Sequence, residues 1–188
     1  MQSNEHMATE EMVDIANRQG VLFELSVDFT LTAGAFLKSV FKTGSKPVVF
    51  ISRKVSFNGD GVNAFVYKNP TYTGGAKIDT YNPNDINKKI ETAEFLSGAT
   101  VTDDGLQSRA NKYVFGSDAN QGKGGILQLI DLNEPQLILP NSELLFVIEN
   151  RDAATQKIAS HVKWIEPDNI PGLIIQDGEF VDYDGVTL

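Results

Sequence analysis

Over residues 21–31 the chain alternates with a period of two. Val21, Phe23, Leu25, Val27, Phe29 and Leu31 share one parity, and Glu24, Ser26, Asp28 and Thr30 share the other. That pattern predicts a β-strand with one dry and one wet face, turned by Thr32-Ala33-Gly34-Ala35. Just before it the period is different. Ala8, Met12, Ile15 and Ala16 follow helical spacing, with Thr9 as a possible cap and Gly20 as a stop, which predicts a short amphipathic helix over 8–20. A lone helix of this length is marginal in water, so it must pack on the body or wait for a partner.

Residues 48–57 form a second run in which Val49, Ile51, Val55 and Phe57 share a parity with Arg53. An arginine on an apolar face needs a partner, because an unpaired buried charge is costly. The expectation is an intramolecular ion pair, and the competing reading is an interface or ligand contact. Asn58-Gly59-Asp60-Gly61 is a hairpin-type turn signal. Strands are predicted at 62–68, 76–81, 89–96, 99–102, 111–115 and 126–130. Stronger ones follow in ELLFVIEN (143–150) and KIASHVKWIE (157–166). The Asn-rich stretch from Asn84 to Glu94 reads as loop then strand rather than helix.

Many short strands separated by Gly and Pro predict an all-β fold, an antiparallel, jelly-roll-like β-sandwich. The predicted organisation is an N-terminal arm or short helix at 1–20, a sandwich body at 21–167 and an extended C-terminal tail at 168–188. Trp164 shares parity with Ile158 and Val162. It is expected to anchor the core, with its indole N–H finding an acceptor.

Charge sharpens this division. The whole chain has 25 acids against 16 bases, a formal net charge of −9. Residues 1–20 hold four acids and one base, residues 165–188 hold six acids and no Lys or Arg, and the middle is balanced. Such an acidic chain is a poor match for nucleic acid, which calls for a basic patch. The acidic ends read as solvated termini; the competing reading is arms that meet a partner's basic surface. All three methionines lie in the first twelve residues, and Leu173-Ile174-Ile175 opens an apolar stretch in the tail. Met7, Met12, Ile15, Leu173, Ile174 and Ile175 are therefore the candidate interface residues. The tail is expected to add a strand to its own sheet or to a neighbour's. The acidic start does not resemble a signal peptide, and no apolar run approaches the roughly 18 residues of a membrane span.

Chemistry is sparse. The absence of Cys removes thiolate metal sites and cysteine nucleophiles, and His6 and His161 are too few for a histidine-based zinc site. Gly116 to Gly125 looks like a phosphate loop, but it has five residues before Gly122-Lys123 and Gly124 where a hydroxyl is needed. Asp177, Glu179, Asp182 and Asp184 could hold a hard cation but lack EF-hand spacing. Ser39-Val40-Phe41-Lys42 matches S-x-x-K without its companion motifs. Neither a catalytic residue, a cofactor nor a metal is predicted.

Four segments, taken in order, carry a resemblance. They are FKTGSKPVVFISRKVSF (41–57), KNPTYTGGAKIDTYN (68–82), SGATVTDDG (97–105) and LILPNSELLFVIENRDAATQKIASHVKWIEP (137–167). They are similar to a family of small structural proteins of tailed bacteriophages, which share a T-G-x-K-P-V lead-in to a strand, a P-T-x-T-G-G turn, an L-x-P-N stretch and a closing W-x-E strand. The resemblance covers about residues 21–167. It implies a β-sandwich virion component without enzymatic activity. The expected role is a capsid decoration (cement) protein, a homotrimer on the head surface that binds the major capsid protein, with no nucleic-acid or membrane partner. The alternative it leaves open is a tail, neck or fibre module binding a host receptor or glycan, for which Tyr72, Tyr81 and Tyr113 are the candidate rings.

Overall fold

The computed structural model describes residues 4–116, 124–130, 136–168, 174–176 and 179–181. One helix, α1 (Asn4–Gln19), precedes β1 (Leu22–Leu31), β2 (Phe36–Lys42), β3 (Val48–Phe57) and β4 (Gly61–Lys68). An insertion of short strands follows: β5 (Thr71–Thr73), β6 (Ala76–Lys77), β7 (Glu94–Ser97), β8 (Thr100–Asp103) and β9 (Leu106–Gln107). The chain returns through β10 (Lys112–Phe115), β11 (Gly125–Ile130), β12 (Gln136–Ile138), β13 (Glu143–Asn150) and β14 (Gln156–Ile165). Last come β15 (Ile174–Gln176) and β16 (Glu179–Val181).

The main strands make two antiparallel sheets. One runs β1-β14-β3-β11, with β12 beside β11 on β3; the other runs β10-β4-β13-β2-β7-β6, with β9 beside β10 on β4. The chain crosses between sheets at β1–β2, β2–β3, β3–β4 and β10–β11, and again through β13 to β14. Four frame strands per sheet with this alternation make a jelly roll, so the all-β sandwich expected from periodicity is what forms. Phe23, Phe50, Val162 and Trp164 from the first sheet meet Phe41, Phe95, Phe146 and Ile148 from the second in one core. Its centre is aromatic: Phe41 lies 4.6 Å from Phe50 and stands edge-on to Trp164 at 5.6 Å. The buried Trp164 indole donates to Glu166 Oε1 at 2.9 Å, as its place in the pattern requires.

Strand β3 departs from simple alternation. In its pairing with β14, Lys163 faces Ser52 and the next residue, Trp164, faces Phe50, so Ile51 is an extra residue. This bulge reverses the parity. Arg53, Val55 and Phe57 point inward along with Val48 and Phe50. Val49 and Ile51, expected on the same face as Arg53, turn outward. There they join Leu22 and Ile165 under α1, packed against Ala16, Met12 and Val13. The helix therefore docks on its own sheet through its last two turns.

Other expectations are corrected. Strand β2 escaped prediction because its inward side chains are Leu37, Ser39 and Phe41, and Val40 on the other face is buried as well; burial on both faces erases the period. The 76–81 strand shrinks to Ala76–Lys77 plus a bridge between Tyr81 and Glu24. The strand expected at 89–96 begins only at Glu94. Arg53 is 1% exposed, and no carboxylate faces it among the described residues; its guanidinium lies 3.9 Å from the centre of the Phe146 ring. The expected ion pair is replaced by a cation–π contact. Strands β15 and β16 pair with each other rather than extending either sheet of their own body.

Candidate functional site

Two of the four segments singled out in the sequence, 41–57 and 137–167, meet at one end of the sandwich. Buried Thr43 donates through Oγ1 to Leu139 O at 2.8 Å and accepts there from Ser142 N at 2.7 Å. Thr43 N donates to Ser142 O, and Asn141 N to Gly44 O, both at 2.9 Å. The Thr43-Gly44 lead-in and the Pro140-Asn141-Ser142 corner thus interlock. A Cβ on Gly44 would meet Thr92 Cβ at 2.6 Å, so only glycine allows this approach.

Glu166 completes the clasp. It is 2% exposed, and its carboxylate accepts from Thr92 N at 2.7 Å, Thr92 Oγ1 at 2.8 Å, Ala93 N at 3.1 Å and the Trp164 indole. Four donors satisfy the acid without a cation. Asp168 is tied back by Lys46 at 2.6 Å and Lys89 at 3.6 Å. The Lys46 hydrogen bond and charge, helped by Lys89, hold its carboxyl below the usual range. Two of the six acids in the C-terminal stretch are therefore turned toward the body rather than offered to a partner. Composition alone cannot separate a clasping acid from a solvated one.

The P-T-x-T-G-G turn has a structural task of the same kind. Strands β5 and β8 cover the outer face of the second sheet, where Tyr72, Ala99 and Val101 pack on Val40, Leu96, Leu145 and Val147. Tyr72 Oη donates to Glu143 Oε1 at 2.8 Å. Burial first, then the Glu143 hydrogen bond and the charges of Glu143 and Glu94, push its pKa up to about 12. A phenol whose pKa is higher in the folded chain than in the unfolded one adds stability below about pH 10. That stability disappears as the pH climbs toward 12. For this half-buried group the loss is on the order of 1 kcal/mol after solvent screening. Urea unfolding at pH 9 and pH 11.5 should show a steeper alkaline loss in the parent than in Tyr72→Phe.

The partner-facing candidates divide. Half-buried Met12 is spent on the chain's own cluster with Ala16 and Ile51, while Ile15 is 46% exposed. The side chains of Met7, Ile174 and Ile175 and all of Leu173 lie outside the described residues. A stronger surface signal comes from a loop that sequence reading passed over. Gly20, with φ 71°, ends α1 in a Schellman motif: Gly20 N donates to Asn17 O and Val21 N to Ala16 O. The helix carbonyls are then bonded by side-chain amides from the loop. Asn84 Nδ2 donates to Asn17 O at 2.6 Å and Arg18 O at 3.1 Å, Asn87 Nδ2 to Gln19 O at 3.3 Å, and Asn82 Nδ2 to Gly20 O at 2.7 Å. On this anchored loop Ile86 is 99% exposed and Ile90 88% exposed. Asparagine spacing at 82, 84 and 87 was the available signal, but only the fold reveals that a helix end lies beneath it.

The remaining chemical candidates do not assemble. Ser39 is buried inside the sandwich, while Lys42 reaches outward toward Glu143 Oε1 at 3.9 Å, so the S-x-x-K pair is split between faces. Gly116 and Gly124 bound the connection from β10 to β11, and a strand follows Gly124 where a phosphate loop requires a helix. Its residues 117–123 lie outside the described set. So do the side chains of Asp177, Glu179, Asp182 and Asp184; among the described residues no group of three His, Asp or Glu is placed to hold a metal. His161 pairs loosely with Glu24 at 3.8 Å on the outer face of the first sheet. Tyr81 bridges to β1 at one edge of the first sheet, and Tyr113 is on β10 at the edge that meets β11. With Tyr72 packed from the insertion onto the second sheet, the three rings form no common platform. No helix among the described residues is long and apolar enough to cross a membrane.

No protein-family model and no curated protein matches the chain. Among solved structures it is similar to the Yersinia pseudotuberculosis-derived mitogen, with 9% identity, 84% of this chain and 93% of that chain covered, and a TM-score of 0.30. It is also similar to VP2 of infectious bursal disease virus in a subviral particle, with 12% identity, 79% and 42% covered, and a TM-score of 0.18. A third likeness is to the 60-mer BFDV capsid protein, with 8% identity, 79% and 96% covered, and a TM-score of 0.15. Likenesses at this level do not extend to function.

Proposed function

We propose that this chain is a structural protein of a tailed-bacteriophage virion, a capsid decoration protein that binds the major capsid protein and acts without chemical turnover. The observation that carries the reading is the convergence of two of the resemblance blocks, 41–57 and 137–167. Thr43-Gly44, Pro140-Asn141-Ser142 and Trp164-Ile165-Glu166 serve one structural clasp. Residues engaged in architecture suit a protein whose product is a rigid shape. A rigid body also needs a surface with which to attach. Two nearly fully exposed isoleucines on a loop fastened to a helix end supply one, because apolar side chains held out in water gain free energy on docking. A homotrimer repeats that surface three times, so modest contacts add through multivalency.

The test is sedimentation of purified protein with empty phage heads that lack it. The parent co-sediments. The double substitution Ile86→Asp, Ile90→Asp lowers the apparent affinity about 30-fold, the loss expected when a hot spot is removed, and leaves the melting temperature unchanged. Native mass measurement should give the mass of three chains. Binding to heads unaffected by the double substitution would remove the loop from the reading, and no binding by the parent would remove the reading itself.

A further inference from the structure

We infer that Arg53, Ser39 and Ser160 form a binding site for a single monatomic anion, a halide, inside the sandwich. The three residues come from β3, β2 and β14 and are 1%, 3% and 3% exposed. They line one cavity of about 10 Å³ together with Phe29, Leu37, Phe95, Phe146 and Ile148. Of the guanidinium donors, Nε and Nη1 are buried and make no hydrogen bond. The Phe146 ring covers the guanidinium at 3.9 Å.

Four facts define the ligand. The guanidinium is a full charge without a carboxylate, and removing a charge from water costs several kcal/mol unless it is compensated. The cation–π contact with Phe146 returns only part of that cost. The two orphan donors need an acceptor, and the serine hydroxyls can turn to donate as well, so the occupant must accept from several directions. The cavity holds a single particle of about water size, which excludes phosphate, sulfate and carboxylates. A halide is the anion that meets all four conditions, and a lone water is the rival that supplies an acceptor but no charge. Burial draws the Arg53 pKa down to about 9, so the charge persists at neutral pH. Phe29 and Leu37 are only half-buried at the rim, which gives the ion a route in.

Crystals of the full chain soaked in sodium bromide should show an anomalous peak within hydrogen-bond distance of Arg53 Nε or Nη1. Raising chloride from 10 to 300 mM at constant ionic strength, with gluconate as the balancing anion, should raise the melting temperature by about 3 °C. Arg53→Met should abolish this dependence. Should that variant fail to fold, Ser160→Ala keeps the arginine and should reduce the dependence by at least half. A peak accompanied by anion-dependent melting supports the site. Either result alone, or a water in place of the peak, overturns it.

Discussion

Replacing Glu166 with alanine should lower the unfolding free energy by about 3–5 kcal/mol, because it strands several buried donors at once. The Trp164 indole, the Thr92 amide and hydroxyl and the Ala93 amide all point at that carboxylate. The Trp164 indole and the Ala93 amide are buried in the clasp between the β14 end and the segment before β7, while Thr92 is half-buried beside them. Glu166→Gln keeps one carbonyl acceptor but sets an NH₂ against donors, so it should cost less, about 2 kcal/mol. Urea unfolding followed by fluorescence is a direct measurement, since Trp164 is the only tryptophan and sits at the site. Equal stability of the parent and the alanine variant would mean that the four hydrogen bonds do not hold the end of the sandwich together.

The second large effect concerns the N-terminus. Removing residues 1–20 should destabilise the body by about 4 kcal/mol rather than trim a free arm. The truncation deletes Ala16, Met12 and Val13 and exposes Leu22, Ile51 and Ile165 on the outer face of the first sheet. Each well-buried aliphatic side chain is worth about 1.5–3 kcal/mol, and the partly buried ones less. The truncation also strips the carbonyls that Asn82, Asn84 and Asn87 bind, so the Ile86 and Ile90 loop loses its anchor. A milder truncation that stops before Met12 should leave melting unchanged. Thermal melting of the two truncations separates these outcomes: a shift of at least 8 °C for the longer deletion, and none for the shorter. If both melted like the parent, the helix would contribute nothing to the fold.

These two sites also measure how far the sequence could be read. Period-two alternation placed β1, β3 and β14 to within a residue or two, because each has one face on the inter-sheet core and a largely polar opposite face. It placed β13 as well, through Leu144, Phe146 and Ile148, although Leu145 and Val147 on its other face are also buried. Elsewhere the loss of that asymmetry defeats the reading. Strand β2 is buried on both sides, and the insertion strands are too short for a period to develop. The outward turn of Val49 and Ile51 depends on one extra residue that no local pattern marks. Glu166 was counted among tail acids because charge composition is blind to burial. Arg53 was read correctly as an oddity, yet its partner is an aromatic ring from the facing sheet, which sequence distance hides. The exposed isoleucines at 86 and 90 look in sequence like ordinary apolar residues of a loop; only the position of α1 shows that they are held away from any core.

The bulge at Ile51 makes β3 serve two masters. Its first half feeds Val48 and Phe50 to the interior while Val49 supports the helix, and its second half resumes inward service with Arg53, Val55 and Phe57. Loss of Ile51 would let Val48, Phe50, Arg53, Val55 and Phe57 share one face of a regular strand, so the interior would survive it; what would go is the side chain that Ala16, Leu22 and Ile165 pack against. A gain of one residue beside the bulge would instead turn one half of the strand over and send aromatic bulk against the helix or out to water. The extra residue thus ties the strand to the helix rather than to the interior.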